Sequence, residues 1–331
     1  MTQNFLNNRF LMPIGKDDEG YFRILEKYKK FIGGVYLGWQ NAPSGRVLLS
    51  PSEDFFDRVY KWCLKNNKRF NILFNATPHD LQGGFDYDAV DLTPYSSKHT
   101  VLIFASMVLF AHKNFGNFQK GVSVTYRVGT PQHLHSIKSR FPEIKYLVID
   151  RDINRDYKLV NRIIDYADSI GVDADVMLNE GCAPRCSLSG DHGTFITLAH
   201  FSDQSQPLAK IKSLCNSFFA NDPANVLRSP FVTREMLPYY KAKFFKLVGR
   251  DTPVDMLEKM IRYYVFGEPM DVSAVFTSKK SPLGITTDKL PAAFHKKILS
   301  CKSECYRCDY CAAVYKKLAQ DRDKNLTGTE K

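Results

Sequence analysis

Thiols carry the sharpest chemical signal in this chain. Eight cysteines are spread unevenly over 331 residues. Cys182 and Cys186 fall in the stretch Asn179-Glu180-Gly181-Cys182-Ala183-Pro184-Arg185-Cys186, where Gly181 and Pro184 favour a tight loop. Such a loop can turn both sulfurs toward one metal, and thiolates suit zinc or an iron–sulfur cluster. Arg155 and Arg185 are candidates to offset the negative charge of such a centre. The plainer reading is two buried structural thiols, because cysteine is among the most buried residue types. A second group, CKSECYRCDYC, holds Cys301, Cys305, Cys308 and Cys311, four thiols in eleven residues, and that density argues for ligation. On one continuous helix Cys301 and Cys311 would stand about 15 Å apart, beyond the reach of one metal. Either the segment is looped, or only some of its thiols bind, with others completing a centre begun by Cys182 and Cys186. Cys63 and Cys215 stand alone in the sequence.

Elements that could position these groups alternate along the chain. Short runs rich in β-branched and aromatic residues predict strands at Phe10–Ile14, Gly34–Trp39, Asn71–Ala76, Val122–Val128, Tyr146–Asp150, Asp173–Asn179, Val226–Phe231 and Phe244–Gly249. Their near-continuous apolar character suits strands buried on both faces. Helical periods fall between them, over Asp18–Phe31, Ser52–Lys65, Lys98–Lys113, Pro131–Phe141, Asn154–Ile170, Gln206–Phe219, Arg234–Tyr240 and Pro253–Phe266. Eight strand–helix units predict an α/β fold, a (β/α)8 barrel over residues 1–268, in preference to an open doubly wound sheet. Residues 269–331 break the alternation and are expected to form a Cys-rich C-terminal extension. Its polar tail after Tyr315 is expected to fray.

A barrel gathers its chemistry at the C-terminal ends of its strands. That rule nominates Asn41, Asn75, Arg127, Asn154, Arg155 and Arg250 as substrate-binding residues, since arginine recognises carboxylate and phosphate bidentately. Asp152, Glu180 and His192 are the acid–base candidates. Any one of them could instead cap a helix or pair around the rim. Trp39 and Tyr126 suit packing better than substrate stacking.

Composition narrows the class. Hydrophobic residues at 44% and charged residues at 24% exclude a disordered, collagenous or coiled-coil chain. No apolar run reaches the roughly 18 residues of a membrane span, and MTQNFLNNRF lacks the pattern of a secretory signal, so a cytoplasmic protein is expected. The net charge of +11 either keeps the chain soluble or draws an anionic partner, a small molecule or RNA. No basic run is dense enough to choose between the two.

The run LNEGCAPRC, then Asp191-His192, then RSPFVTREMLPYY and FFKLVGR, resembles the collagenase-like (U32) peptidase family across roughly residues 145–265. That resemblance implies a TIM barrel. It also implies a [4Fe-4S] cluster on four cysteines, with Cys182 and Cys186 as the first pair and Cys215 as the third. The C-terminal quartet departs from the family pattern, which leaves the fourth ligand, and one cluster or two, open. Relatives carry out oxygen-independent hydroxylation of tRNA or rRNA bases and of quinones, some with prephenate as a proposed oxygen donor. The resulting expectation is an iron–sulfur oxidoreductase acting on an RNA base or a small aromatic precursor. Zinc is the alternative metal. The alternative functions are a peptidase of the same family and a non-catalytic iron–sulfur partner in a heterodimer. The sequence holds neither an HExxH zinc site nor a GxSxG nucleophile elbow.

Overall fold

The computed structural model describes residues 3–40, 42, 44, 50–75, 85–199, 205–277 and 282–327. Eight parallel strands close into a barrel in sequence order: β1 Phe10–Pro13, β2 Ile32–Gly38, β3 Arg69–Phe74, β4 Thr100–Phe104, β5 Gln119–Val122, β6 Ile144–Val148, β7 Asp173–Met177 and β8 Phe244–Lys246. The seam closes where Phe10 and Leu11 pair with Phe245 and Lys246. The (β/α)8 expectation is met.

Helices cover the outside. They are α1 Gly20–Lys27, α2 Glu53–Lys65, α3 Met107–Phe110, α4 Pro131–Arg140, α5 Tyr157–Ser169, α6 Ser189–Leu198, α7 Ser205–Asn221, α8 Asn225–Arg228, α9 Val254–Phe266, α10 Val272–Thr277, α11 Ala292–Ile298 and α12 Tyr310–Thr327. Their starts follow local chemistry. Ser52 accepts from the Phe55 amide and Thr130 from the His133 amide, each satisfying an orphan donor of the first turn. In α5, Val160, Ile163, Ile164 and Ala167 make one buried stripe of helical period against the barrel.

Three elements differ from the sequence expectation. The predicted strand Val122–Val128 ends at Val122, because Ser123 caps a 3-10 turn over Val124–Tyr126 by accepting from the Thr125 amide. The predicted helix Lys98–Lys113 holds β4, whose Thr-Val-Leu-Ile-Phe content favours a strand. The predicted strand Val226–Phe231 opens as helix α8, whose residues Asn225, Val226 and Leu227 are all buried. A short run buried on every side reads the same as strand or helix. One missed strand and one surplus strand cancel, so the count of eight survives.

The C-terminal extension shares the barrel's core. Val272, Val275, Phe276, Phe294 and Ile298 are fully buried in the same apolar cluster as the barrel helices, with Phe276 stacked on Phe231. A bridge between Asp156 and Ser300 fastens the far end of this segment beside α5. The tail expected to fray instead continues as α12 to Thr327.

Candidate functional site

The C-terminal strand ends surround a cavity of about 400 Å³. Met177 and Val248 line it and pack with Val148 in one buried apolar cluster. Four basic side chains line it, Arg127, Arg151, Lys246 and Arg250, against two carboxylates, Asp150 and Glu180. Cys182, Cys186 and His192 open on the same space.

Backbone geometry fixes the cations. Arg250 follows Gly249, which takes φ +134°, and a Cβ on Gly15 would stand 1.6 Å from the Arg250 carbonyl oxygen. Only glycine at position 15 lets the end of β1 come this close to the end of β8. The guanidinium then donates to Ser44 through Nη1 at 2.9 Å to Oγ and Nη2 at 2.6 Å to the carbonyl. Arg127 caps its 3-10 turn in the left-handed region at φ 59°, a conformation that costs a non-glycine residue about 1–2 kcal/mol. Its side chain meets the Asp152 carboxylate, lies 3.6 Å from Asp150 and donates to Ser189 Oγ at 2.8 Å.

Arg151 and Glu180 approach to 3.5 Å. Burial opposes charge on Arg151, but Glu180, with Asp152 and Asp150 behind it, outweighs it and holds the guanidinium charged. Burial, then Glu180, pushes the Cys182 thiol up, so it stays protonated at neutral pH. Lys246 projects inward from β8, 6% exposed, with Nζ 4.1 Å from the centre of the Tyr36 ring. Burial, then the neighbouring Arg250, pushes its ammonium down to about 7.

A protein from Methanocaldococcus jannaschii described as an uncharacterized protease is 24% identical over 265 residues, covering 73% of this chain and 74% of its own. This chain resembles the collagenase-like peptidases. A solved U32 peptidase shares 13% identity at a TM-score of 0.49, covering 74% of this chain and 94% of that one. No family's sequence profile matches the chain.

Of the residues nominated from the sequence, the mouth gathers Asn75, Arg127, Glu180, Cys182, Cys186, His192 and Arg250. Asp152 stands behind Arg127 as its partner. Asn154 is fully buried elsewhere, donating to the carbonyls of Met177 at 2.7 Å and Pro230 at 3.1 Å, and so pins the end of β7 to the following loop. Asn41 lies outside the described residues. Trp39 packs edge-on against Phe56 and Tyr95, as packing predicts. Cys215 sits on α7 against the main core and does not line the mouth.

Arg155 does not reach the mouth either. Its side chain is 2% exposed, lies under the Phe231 ring and donates to the Leu227 carbonyl at 2.7 Å. It lies near the C-terminal thiols, acting electrostatically on Cys311 and Cys305. Those thiols do not lie on one helix. Cys301 follows α11, Cys305 opens a 3-10 turn over Cys305–Arg307, and Cys311 sits in the first turn of α12. Of the two options left open by spacing, the segment is looped. Among the described residues, no three His, Cys, Asp or Glu side chains stand close enough to hold a metal ion as they are, and no helix is long and apolar enough to cross a membrane.

Three charged mouth residues were not nominated from the sequence: Asp150, Arg151 and Lys246. Lys246 was signalled by a lone cation inside the apolar run Phe244-Phe245-Lys246-Leu247-Val248. Arg151 was hidden among the charges of Asp150-Arg151-Asp152, where nothing in the pattern says which one faces inward.

Proposed function

We propose that the chain is a hydrolase of the peptidase class, working at the barrel mouth on a substrate with an anionic end. The observation that carries this reading is the convergence of Glu180, His192 and a surplus of basic side chains on one cavity at the C-terminal strand ends. The relative described as a protease points the same way. Amide hydrolysis needs a base for the attacking water, positive charge for the developing oxyanion and a proton for the leaving amine. Glu180, held by Arg151, serves as the base. Arg250 and Arg127 take the substrate carboxylate. Lys246 meets developing negative charge from below, and His192 protonates the amine. Cys182 is not the nucleophile, because burial and Glu180 keep its thiol protonated.

The test is incubation of the purified chain with a proteome-derived peptide mixture, with new termini read by mass spectrometry. The reading expects cleavage that Glu180→Gln slows at least 100-fold. Cleavage no faster than in buffer, or equal in the variant, rejects it.

One observation favours a second reading, the iron–sulfur oxidoreductase, namely that Cys182 and Cys186 both open on the cavity. Two thiols are half of a four-thiolate set, and Cys215 stands elsewhere. The mouth therefore does not fit a [4Fe-4S] cluster on protein thiolates alone, and no step runs through one. Iron and sulfide that leave with a Cys182→Ser/Cys186→Ser double variant would favour this reading over hydrolysis.

A further inference from the structure

We infer that Cys301, Cys305, Cys308 and Cys311 form a four-thiolate metal centre, separate from the barrel mouth, with Arg155 as its buried countercharge. The inference is independent of the peptidase reading.

The Arg155 guanidinium, buried to 2% exposure, costs several kcal/mol unless an anion compensates it. Among the described residues no carboxylate lies within ion-pair distance of it, and its Nε has no hydrogen-bond partner. Its one backbone bond, to the Leu227 carbonyl, and its stacking on Phe231 leave the charge itself unbalanced. What faces it is thiols. Arg155 acts electrostatically on Cys311 and Cys305, and Arg228 on Cys305, while burial, the larger effect, holds both thiols protonated as they stand. Four neutral thiols offer no charge. Four thiolates on a divalent metal, or on a [4Fe-4S]2+ core, carry a net charge of −2, which a buried arginine offsets. Loading such a centre displaces four S–H protons to solvent, so the bond balance closes without any redox step.

Backbone contacts bring the segment to Arg155. The Tyr157 amide donates to the Leu299 carbonyl at 3.2 Å, and Ser300 bridges to Asp156, so Cys301 begins its loop beside residue 155. Ser303 is held in the left-handed region at φ 57° and turns its amide onto Cys301 Sγ at 3.4 Å. At the other end Cys311 is anchored against the core on α12. Between these anchors the 3-10 turn carrying Cys305 and the exposed Cys308 lie at the surface. As they stand, no three of these side chains are close enough together to hold a metal ion. The metal closes them by drawing the surface turn onto the two anchored sulfurs.

The full chain, purified without oxygen, is assayed for zinc, iron and acid-labile sulfide. About one zinc with no colour identifies a zinc site; about four irons and four sulfides with brown colour identify a cluster. Either result supports the centre if the metal falls at least tenfold in Cys305→Ser/Cys308→Ser and stays in Cys182→Ser/Cys186→Ser. Cys308→Ser alone guards against misfolding, since that side chain is exposed, and it should speed metal loss to a chelator at least tenfold. Arg155→Met should do the same. Wild-type chain with less than about a tenth of an equivalent of metal overturns the inference. So do quartet thiols found as disulfides, and metal that follows Cys182 and Cys186 instead.

Discussion

The barrel mouth and the C-terminal thiol segment both set arginines against cysteines, yet they balance charge in opposite ways. At the mouth the guanidiniums have carboxylates. Arg127 meets Asp152 and Asp150, and Arg151 meets Glu180. The thiol there is held neutral by burial and by one of those carboxylates. At the C-terminal segment Arg155 has no carboxylate among the described residues, and the thiols near it, Cys305 and Cys311, are likewise kept protonated by burial as they stand. A cation paired within the protein can be reassigned to a substrate anion and back, which suits turnover. A buried cation with no internal partner calls for a permanent anion, which suits a resident metal thiolate.

Substitutions separate the two regions, and the largest effect is expected at Glu180. Glu180→Gln should lower the peptide-cleavage rate by about 10²–10⁴-fold while leaving any metal content unchanged. Loss of metal with unchanged cleavage would reverse the roles of the two regions.

Arg250→Met comes next. The guanidinium opens on the cavity while anchored to Ser44. Its removal should raise KM roughly 10- to 100-fold with little change in kcat, the signature of lost uniform binding, consistent with about 1.5–3 kcal/mol for a charged hydrogen bond. A fall in kcat at constant KM would place this residue in the transition state instead.

A smaller and purely structural effect is expected at Asn179. Its side chain donates to the Val248 carbonyl at 2.9 Å and accepts from the Val248 amide at 2.7 Å, tying the ends of β7 and β8 together beneath the mouth. Asn179→Ala leaves both backbone groups buried without a partner and should cost about 1–3 kcal/mol. Differential scanning calorimetry should show a Tm lower by a few degrees, with cleavage retained below the transition. An unchanged Tm would mean that the two strand ends are held by other contacts.

The smallest effect concerns pH. Lys246 is faced by Arg250, Arg69, Asp175, Glu180 and the Tyr36 ring. It gives up its proton near 7 in the folded chain, and at about 10.4 when unfolded. Between those values the unfolded state binds more protons, so this residue makes stability rise with pH above about 7. Wild type minus Lys246→Met should therefore show a Tm difference that grows in favour of wild type from pH 7 to 9. Cysteine and tyrosine titrations common to both proteins cancel. A flat difference would mean that Lys246 is charged throughout.

The barrel itself was legible because strands buried on both faces announce themselves as apolar runs at even spacing, and their number survived two local errors. Both errors arose where a short run, Thr100–Phe104 or Asn225–Arg228, is apolar enough to serve as strand or helix. Most of the mouth was legible because strand ends are where a barrel exposes polar groups. Arg155 and Asn154 were not, since both lie between β6 and α5 and only tertiary packing decides which way such a connection faces. Arg155 turns away from the mouth because α8 and α12 supply the Leu227 carbonyl and Cys311 on the far side. Lys246 required knowing that β8 points that position inward.

Hydrolysis at the barrel mouth stands or falls with Glu180. The most direct measurement is the initial rate of peptide cleavage by wild type and Glu180→Gln, prepared side by side and shown to melt at the same temperature. A variant at least 100-fold slower agrees with the account. Equal rates, or no cleavage by either protein above buffer, contradict it.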